Sequence, residues 1–448
     1  MSTTMQQDNL GVLVIGRKRP GFDQEWNAKV RQQCQAAFQS LGLNPIGADT
    51  PVVDNQNIST ALQRIRAAGC QALVVLQPSL GAGQLALAVA QQWDLPLVLW
   101  ATPERPEVPT VSSCSLVAQH LWASILRQAD RPFEFVYGDP EDNAVRQSLA
   151  RAVALCRTTA ALRSTKVGLV GSYAPGFIDL EPDASLMRRA LGIQLHSLSL
   201  PQFIDRVRAI DEASVRSDVD KVRSLKLPAK DIRDEDLAIN SRFYLAMQQL
   251  MADEQLDALA VQCWPELPEL LGWPYLAMSR LADEGKIVAM EGDADGAITS
   301  LMGKLIGAGI GFITDWLEHN QTTITFWHPG MAATSWCDKP ALGKHFNIQK
   351  PLVVDGALHV DRPYTVARLW RCDNAYHLTA FKGASIAPKR ALTGNHALLE
   401  CDGVDIPRWF DTLLHEGLPH HVVLFQGHHQ DSFARLARLL GLHWIEHD

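Results

Sequence analysis

The fold predicted for the centre of this chain follows from the segment KIVAMEGDADGAITSLMGKLIGAGIGFITDW, Lys286–Trp316. It reads as an apolar strand, a helix and a second apolar strand, and an acid directly follows each strand: Glu291 and Asp315. A strand–helix–strand unit of this length forms a right-handed crossover, which makes the two strands parallel. Because parallel strands end at the same edge of a sheet, we expect the two carboxylates to lie together there.

Asp293 or Asp295 is predicted to cap the helix of this stretch, whose apolar residues fall on one stripe. Two carboxylates that are held close together repel, unless one takes up a proton or a divalent cation lies between them. The pattern of Glu291 and Asp315 therefore predicts a metal site or an acid/base pair, and the two can coexist. The alternative is that one acid only caps a helix and the other is solvated.

The rest of the first third alternates apolar strands with helical segments, which is typical of a parallel sheet covered by helices. This indicates a flavodoxin-like or Rossmann-like domain. A second α/β unit begins at KVGLVGS, residues 166–172, and includes the strands ALAVQCW, KIVAM and GFIT. The C-terminal segments YTVARLWR and YHLTAFKG are β-rich and predict a mainly antiparallel, barrel-like domain. We place the three domains at residues 1–163, 164–340 and 341–448.

Composition limits the possible functions. The chain has 448 residues, of which 47% are apolar and 20% charged, and its net charge is −8. A negative chain is a poor match for a nucleic-acid backbone or an anionic membrane, so neither is expected as a main partner. The eight cysteines form no CxxC pair, which predicts reduced thiols in a cytoplasmic protein. The N-terminus lacks the features of a signal peptide, and no apolar run is long enough to span a bilayer.

Histidines near strand ends extend the candidate site. His328 ends the segment TITFWH, and His420 with His421 precedes an apolar strand in GLPHHVVLFQ. Carboxylates with one or two imidazoles favour Mn²⁺, Mg²⁺ or Co²⁺ over a thiolate-type zinc site. A histidine in such a position can equally be a core or surface residue, and the sequence does not decide which of the three is a metal ligand.

Tryptophans lie beside several of these residues. Trp264 and Trp327 adjoin candidate polar groups, and Gln262 ends the strand that precedes Trp264. An indole face suits the C–H face of a sugar ring, while the hydroxyls remain available to polar partners. The alternative is that these tryptophans belong to the core.

Together these residues resemble the L-fucose isomerase / L-arabinose isomerase family. The segment from QCWPELPELLGW to GIGFITD is similar to the central block of the family, with one acid after each strand. The choice of Glu then Asp resembles L-fucose isomerases, FWHPG resembles a segment of arabinose isomerases, and GLPHH resembles their GGAHH. The resemblance is good over about 255–335, fair near 417–426, and only architectural over the first half.

The resemblance implies a metal-dependent aldose–ketose isomerase that acts through an ene-diol. Glu291 and Asp315 would then bind Mn²⁺ and transfer the proton, and His421 would complete the metal shell. Gln262, Trp264, Trp327, His328 and His420 would contact the sugar. The family also implies a homo-oligomer, a trimer or a hexamer. Two alternatives stay open: an isomerase of a modified or anionic sugar, and a non-catalytic sugar-binding protein on the same fold.

Overall fold

A computed structural model describes residues 8–17 and 21–447. The chain divides into two compact units. The first runs up to Ala161 and also includes Arg438–Gly441, and the second comprises Leu162–Ala437 and the residues from Leu442 onward. Within the described ranges, none of the helices combines the length and the apolarity needed to cross a bilayer. The predicted domain boundaries at 163/164 and 340/341 remain predictions.

The first unit is a five-stranded parallel sheet with helices between its strands. Its strand order is β2-β1-β3-β4-β5, the flavodoxin-like order, which confirms the predicted fold class. Apolar side chains cover both faces of the sheet, as expected for a parallel sheet packed between helices. The elements are β1 (Asp8–Val14), α1 (Gln24–Ser40), β2 (Leu43–Ile46), α2 (Asn55–Ala67), β3 (Leu73–Leu76), α3 (Gln84–Gln92), β4 (Leu97–Ala101), α4 (Ser115–Gln128), β5 (Phe133–Tyr137) and α5 (Asn143–Leu162).

The second unit begins with a smaller parallel sheet of four strands in the order β7-β6-β8-β9. Helices connect these strands, so this part of the unit is the second predicted α/β layer. Its elements are β6 (Lys166–Val170), a 3-10 helix (Ile178–Leu180), α6 (Ala184–Leu191), β7 (Gln194–Leu198), α7 (Leu200–Ala209), α8 (Glu212–Ser224), α9 (Asp234–Asp253), β8 (Ala258–Val261), α10 (Glu266–Leu270), α11 (Tyr275–Asp283), β9 (Ile287–Ala289) and α12 (Ala294–Leu305).

A nine-stranded, mostly antiparallel sheet completes the second unit, in the order β12-β13-β16-β11-β10-β17-β14-β15-β18. An additional β15–β16 pairing closes six of these strands into a ring, which confirms the barrel-like prediction. The elements are β10 (Phe312–His319), β11 (Thr323–His328), a 3-10 helix (Thr334–Trp336), β12 (Ala341–Lys344), β13 (Pro351–Ala357), β14 (Pro363–Cys372), β15 (Ala375–Ile386), β16 (Asn395–Glu400), α13 (Ile406–His415), β17 (His421–Gln426), α14 (Gln430–Leu440) and β18 (His443–Ile445).

The predicted parallel pairing of the two central strands is wrong. β9 is an edge strand of the four-stranded sheet, whereas β10 lies in the barrel and pairs antiparallel with both β11 and β17. α12 therefore connects two different sheets and is no crossover within one. The helix itself forms as predicted, with Asp293 as its N-cap: the carboxylate accepts a hydrogen bond from the backbone N–H of Gly296 at 2.8 Å.

Candidate active site

A cavity of about 520 Å³ lies in the second unit and contains both acids of the central stretch. Six of the eight residues predicted for the site line this cavity: Trp264, Glu291, Asp315, Trp327, His328 and His420. Glu291 and Asp315 thus meet as predicted, although they come from different sheets. The size and concavity are those of a small-molecule site.

A tight turn after β9 presents Glu291 to the cavity. Glu291 and Gly292 both adopt left-handed backbone conformations, with φ of 58° and 70°. A Cβ on Gly292 would come within 2.1 Å of the carbonyl oxygen of Ser172, so only glycine fits there. The backbone N–H of Glu291 donates to Sγ of Cys263 at 3.3 Å, which anchors the turn against the end of β8.

Strand register in the barrel positions the opposite side of the site. Asp315 in β10 pairs with His421 of β17 on one side and with Trp327 of β11 on the other. Residues paired across neighbouring antiparallel strands project from the same face of the sheet. The pairing therefore brings the second acid, a histidine and a tryptophan to the same place.

Three imidazoles converge on the Glu291 carboxylate. Nε2 of His421 lies 3.3 Å from Oε2 of Glu291 and 3.6 Å from Oδ1 of Asp315. Nε2 of His420 lies 3.8 Å from the same Oε2, and Nε2 of His328 lies 3.8 Å from Oε1. The Trp264 indole N–H donates to Oε1 at 3.2 Å. Glu291 is therefore the centre of the polar cluster.

The Nδ1 atoms of the same three histidines face oxygen acceptors. Nδ1 of His421 is 3.0 Å from Oδ2 of Asp293, and Nδ1 of His420 is 2.6 Å from Oδ2 of Asp179. Nδ1 of His328 is 3.1 Å from the backbone carbonyl of Pro329. An acceptor at Nδ1 fixes the ring and leaves Nε2 available, the arrangement that proteins use for metal-binding histidines.

The charges of the cluster stabilise one another. Burial raises the pKa of the Glu291 and Asp293 carboxyls, but the surrounding histidines, and Arg368 in the case of Asp293, hold both pKa values well below the usual range. Burial lowers the pKa of His421, yet the carboxylates of Asp293 and Glu291 outweigh it and raise that pKa to about 10. In the metal-free protein His421 is thus an imidazolium between carboxylates.

The donor set fits a divalent cation. Glu291, His420 and His421 each offer a ligand atom, and these atoms lie within 4.8 Å of one another. Nε2 of His420 and Nε2 of His421 are buried and have no hydrogen-bond partner among the described residues. Buried polar atoms without partners are rare in native proteins and call for an ion, a water or a ligand. Carboxylate and imidazole donors suit Mn²⁺ and similar metals.

Aromatic and histidine side chains together form most of the cavity wall. Trp273 stacks on His345 with ring centroids 4.2 Å apart, and Phe346 packs edge-on against Trp327 at 5.1 Å. Burial lowers the pKa of His345 to about 4, so this histidine is neutral near pH 7. Among the residues that the structure describes around the cavity, none is a lysine or an arginine. The wall therefore offers ring faces and few charges.

Gln262 is one of two predicted site residues that do not line the cavity. Its carboxamide accepts from the backbone N–H of Ser172 at 2.9 Å and donates to Glu266 at 2.9 Å. His421 is also absent from the lining, since it lies completely buried behind Glu291. The predicted sugar contact of Gln262 and the predicted ligand role of His421 remain predictions.

Sequence reasoning missed the residues behind the histidines. Asp293 had been assigned only as a helix cap, and Asp179 and Arg368 carried no role. One signal for Arg368 was present: a charged residue inside the otherwise apolar run of TVARLW. No local signal marks Asp179, because it meets His420 only through the tertiary fold, 241 residues along the chain.

The chain is similar to known sugar isomerases. Residues 11–163 match the family model described as fucose/sulfoquinovose isomerase, N-terminal domain. The chain is 24% identical over 445 residues to a sulfoquinovose isomerase of Priestia aryabhattai, covering 98% of this chain and 99% of that protein. It is 23% identical over 434 residues to a sulfoquinovose isomerase of Clostridium sp. (strain MSTE9), covering 92% and 95%. The expected resemblance to the fucose isomerase family is confirmed.

Proposed function

We propose that this chain, which is similar to sugar isomerases of the fucose isomerase family, is a metal-dependent aldose–ketose isomerase. The observation that supports the proposal is that Glu291 and Asp315 line one cavity and that Nε2 of buried His421 lies within 3.6 Å of an oxygen of each acid. Relatives named as sulfoquinovose isomerases support the reaction class. The family resemblance and the donor set support Mn²⁺, with Mg²⁺ or Co²⁺ as alternatives.

Glu291, Asp315 and His421 would hold the cation, and His420 is a further candidate ligand. When bound, a divalent cation would act as a Lewis acid that makes the C–H proton next to the sugar carbonyl more acidic. Proton transfer is left to the side chains of the site. Isomerisation moves one hydrogen between C2 and C1 through an ene-diol, so the site needs a group that removes the proton and returns it to the adjacent carbon.

We assign the proton transfer to the two carboxylates. Asp315 is the more exposed of the two, with 28% of its side chain accessible against 10% for Glu291. It can therefore approach the carbon chain of a sugar in the cavity, while Glu291 remains held by Trp264 and the histidines. Trp264 and Trp327 would pack on the C–H face of the sugar, and His328 and His420 would contact hydroxyls.

The substrate is an aldose, and two classes of aldose are supported by different observations. The absence of lysine and arginine among the described lining residues favours a neutral sugar, because an anionic group buried there would have no cationic partner. The names of the relatives favour sulfoquinovose, an anionic sugar. The expected cytoplasmic location and the expected trimer or hexamer are part of this proposal; the location is inferred from the cysteine pattern, and the oligomer from the family resemblance.

An activity screen tests the proposal. Purified protein with Mn²⁺ is given a panel of neutral aldoses and sulfoquinovose, and the ketose formed and the deuterium taken up from D₂O are measured. Glu291→Gln and Asp315→Asn should each lower turnover by at least the ~10²–10⁴-fold that a proton-transferring group contributes. Glu318→Gln is the matched control, because Glu318 lies on the same strand and pairs with surface Arg390. Near-normal turnover in either site variant would refute the assignment.

A further inference from the structure

A buried arginine lies behind the candidate metal site and does not line the cavity. Arg368 is in β14, and its side chain is 1% exposed. Its Nη1 donates to Oδ2 of Asp293 at 2.6 Å, and its Nη2 donates to Oδ1 at 2.9 Å. This is the two-bond pairing by which a guanidinium holds a carboxylate in one orientation.

Asp293 joins this arginine to the site. Besides the two guanidinium bonds, its carboxylate accepts from the backbone N–H of Gly296 at 2.8 Å and faces Nδ1 of His421 at 3.0 Å. One fully buried carboxylate thus connects the start of α12, strand β14 and the histidine. Each neighbouring group limits how the carboxylate can rotate.

The consequence for His421 follows from hydrogen-bond chemistry. An ionised carboxylate can only accept, so the hydrogen at Nδ1 of His421 must point at Asp293. Once the ring gives up its second proton, the lone pair at Nε2 would be directed toward Glu291 and Asp315, where a cation would bind. A carboxylate behind a metal-binding histidine selects the tautomer and raises the basicity of the ring.

The charges agree with this arrangement. Arg368 and Asp293 form a neutral pair, so the carboxylates with uncompensated charge next to Nε2 of His421 are those of Glu291 and Asp315. Their two negative charges match one divalent cation. Without Arg368, Asp293 would add a third buried negative charge that has lost its partner.

We propose that Arg368 is a positioning residue of the metal site: it holds Asp293, which in turn orients His421 for metal binding. The inference rests on the metal site of the proposed function, but it concerns cation affinity and requires no turnover. Arg368 does not line the cavity, and its guanidinium hydrogen bonds within the described part of the chain go to Asp293, so we expect its effect on the metal to pass through Asp293.

The test measures Mn²⁺ affinity on metal-free protein, by calorimetry and by the electron paramagnetic resonance signal of free Mn²⁺. Arg368→Gln should weaken the affinity by about 10- to 100-fold, the usual cost of losing a residue that orients a metal-binding histidine. Arg368→Lys keeps the charge and loses the paired geometry, so its affinity should fall between those of Arg368→Gln and the unaltered protein.

Arg280 provides a matched control. It makes the same two-bond contact with buried Asp218, at 2.7 and 2.8 Å, and neither residue lines the cavity. Arg280→Gln removes an equivalent buried pair, so it should lower the melting temperature and leave Mn²⁺ affinity within about twofold. Equal losses of affinity in the Arg280 and Arg368 variants would refute the inference, because the effect would then be one of general stability.

Histidine-tautomer NMR in the presence of Mg²⁺ or Cd²⁺ gives a second readout. The unaltered protein should show His421 protonated at Nδ1 and metal-bound at Nε2, and the Arg368 variants should lose that single state. If Arg368→Gln does not fold, Arg368→Lys decides the matter, and a folded Lys variant with unaltered affinity overturns the inference. Normal Mn²⁺ binding without turnover on any aldose would refute the proposed function and leave this inference standing.

Discussion

Binding of Mn²⁺ should release one proton, and His421 should be its source. In the metal-free protein both ring nitrogens of His421 face carboxylates, which raise its pKa to about 10, against an ordinary value of 6.5. Since a metal ligand must be the neutral ring, the cation has to displace the proton at Nε2. At pH 7.5 a group with that raised pKa is almost fully protonated, so nearly one proton leaves for each ion bound.

The number of protons released distinguishes a charged His421 from a neutral one. A histidine with the ordinary pKa would release only about 0.1 proton at pH 7.5, because most of it is already neutral. If one full proton is released per ion, the apparent Mn²⁺ affinity should rise about tenfold, or ~1.4 kcal/mol, for each unit of increase in pH up to the raised pKa of His421. The direction of the pH dependence follows from the raised pKa. The carboxylates stabilise the charged His421 ring below that pKa, so Mn²⁺ affinity should fall as the pH falls.

Calorimetry measures the released proton directly. Mn²⁺ is titrated into chelator-treated protein in PIPES, HEPES and Tris at pH 7.5, and the slope of the binding enthalpy against the buffer ionisation enthalpy gives the number of protons. The same titration with His420→Asn is the control and should give the same slope. A slope near zero in the unaltered protein would show that His421 is neutral before the metal arrives, and the electrostatic account of the cluster would fail.

Two further predictions concern residues next to this cluster. His421→Asn should weaken Mn²⁺ binding by at least ~100-fold, whereas His420→Asn should weaken it less than ~10-fold. The reason is that, of these two histidines, His421 is the one whose Nε2 lies within 3.6 Å of both acids. Calorimetry on both variants measures the two affinities, and a larger loss in the His420 variant would make His420 the main ligand. Gly292→Ala should destabilise the protein by roughly 2–5 kcal/mol in urea denaturation, because its φ is 70° and the new Cβ would meet a backbone oxygen at 2.1 Å. Gly285→Ala, at φ 76° with nothing within 4 Å, is the control and should cost only about 1–2 kcal/mol; equal losses would mean that the turn at Glu291 can relax.

The elements that the sequence predicted well are those with strong local patterns. The helix of the central stretch forms with Asp293 as its N-cap, as predicted, and the regular strand–helix alternation of the first third corresponds to a parallel sheet. β2 was not predicted, because its four residues include Pro45 and show no clear alternation. Short strands of this kind gain their stability from the neighbouring strand, here β1, which a local pattern cannot show.

The residues that support the candidate site were harder to predict than those that line it. Trp264, His328 and His420 adjoin strand ends, where the sequence itself marks an opening. Arg368 lies in the middle of a strand, and its use depends on Asp293, which is 75 residues away in the chain. A buried charge in an apolar strand needs a partner, so the sequence could predict that a partner exists. It could not tell which acid provides it.

The two acids meet for a reason other than the one that the sequence suggested. The prediction placed Glu291 and Asp315 on neighbouring parallel strands of one sheet. That arrangement would have required β10 to pair with β9. Instead, residues of β10 pair with β17 on one side and with β11 on the other. Antiparallel pairing needs no crossover and is the commoner arrangement, so an apolar strand after a glycine-rich loop is free to join a barrel.

The length of α12 and the register of the barrel strands bring the two acids together. The helix leads from Glu291 at the end of one sheet to the start of β10, and the β10–β17 register then sets Asp315 opposite His421. A shift of that register by one residue would turn Asp315 to the other face of the sheet and separate it from Glu291. The candidate site thus depends on a pairing between residues more than 100 positions apart, and changes to the β10–β17 pairing should alter metal affinity even where they leave every ligand in place.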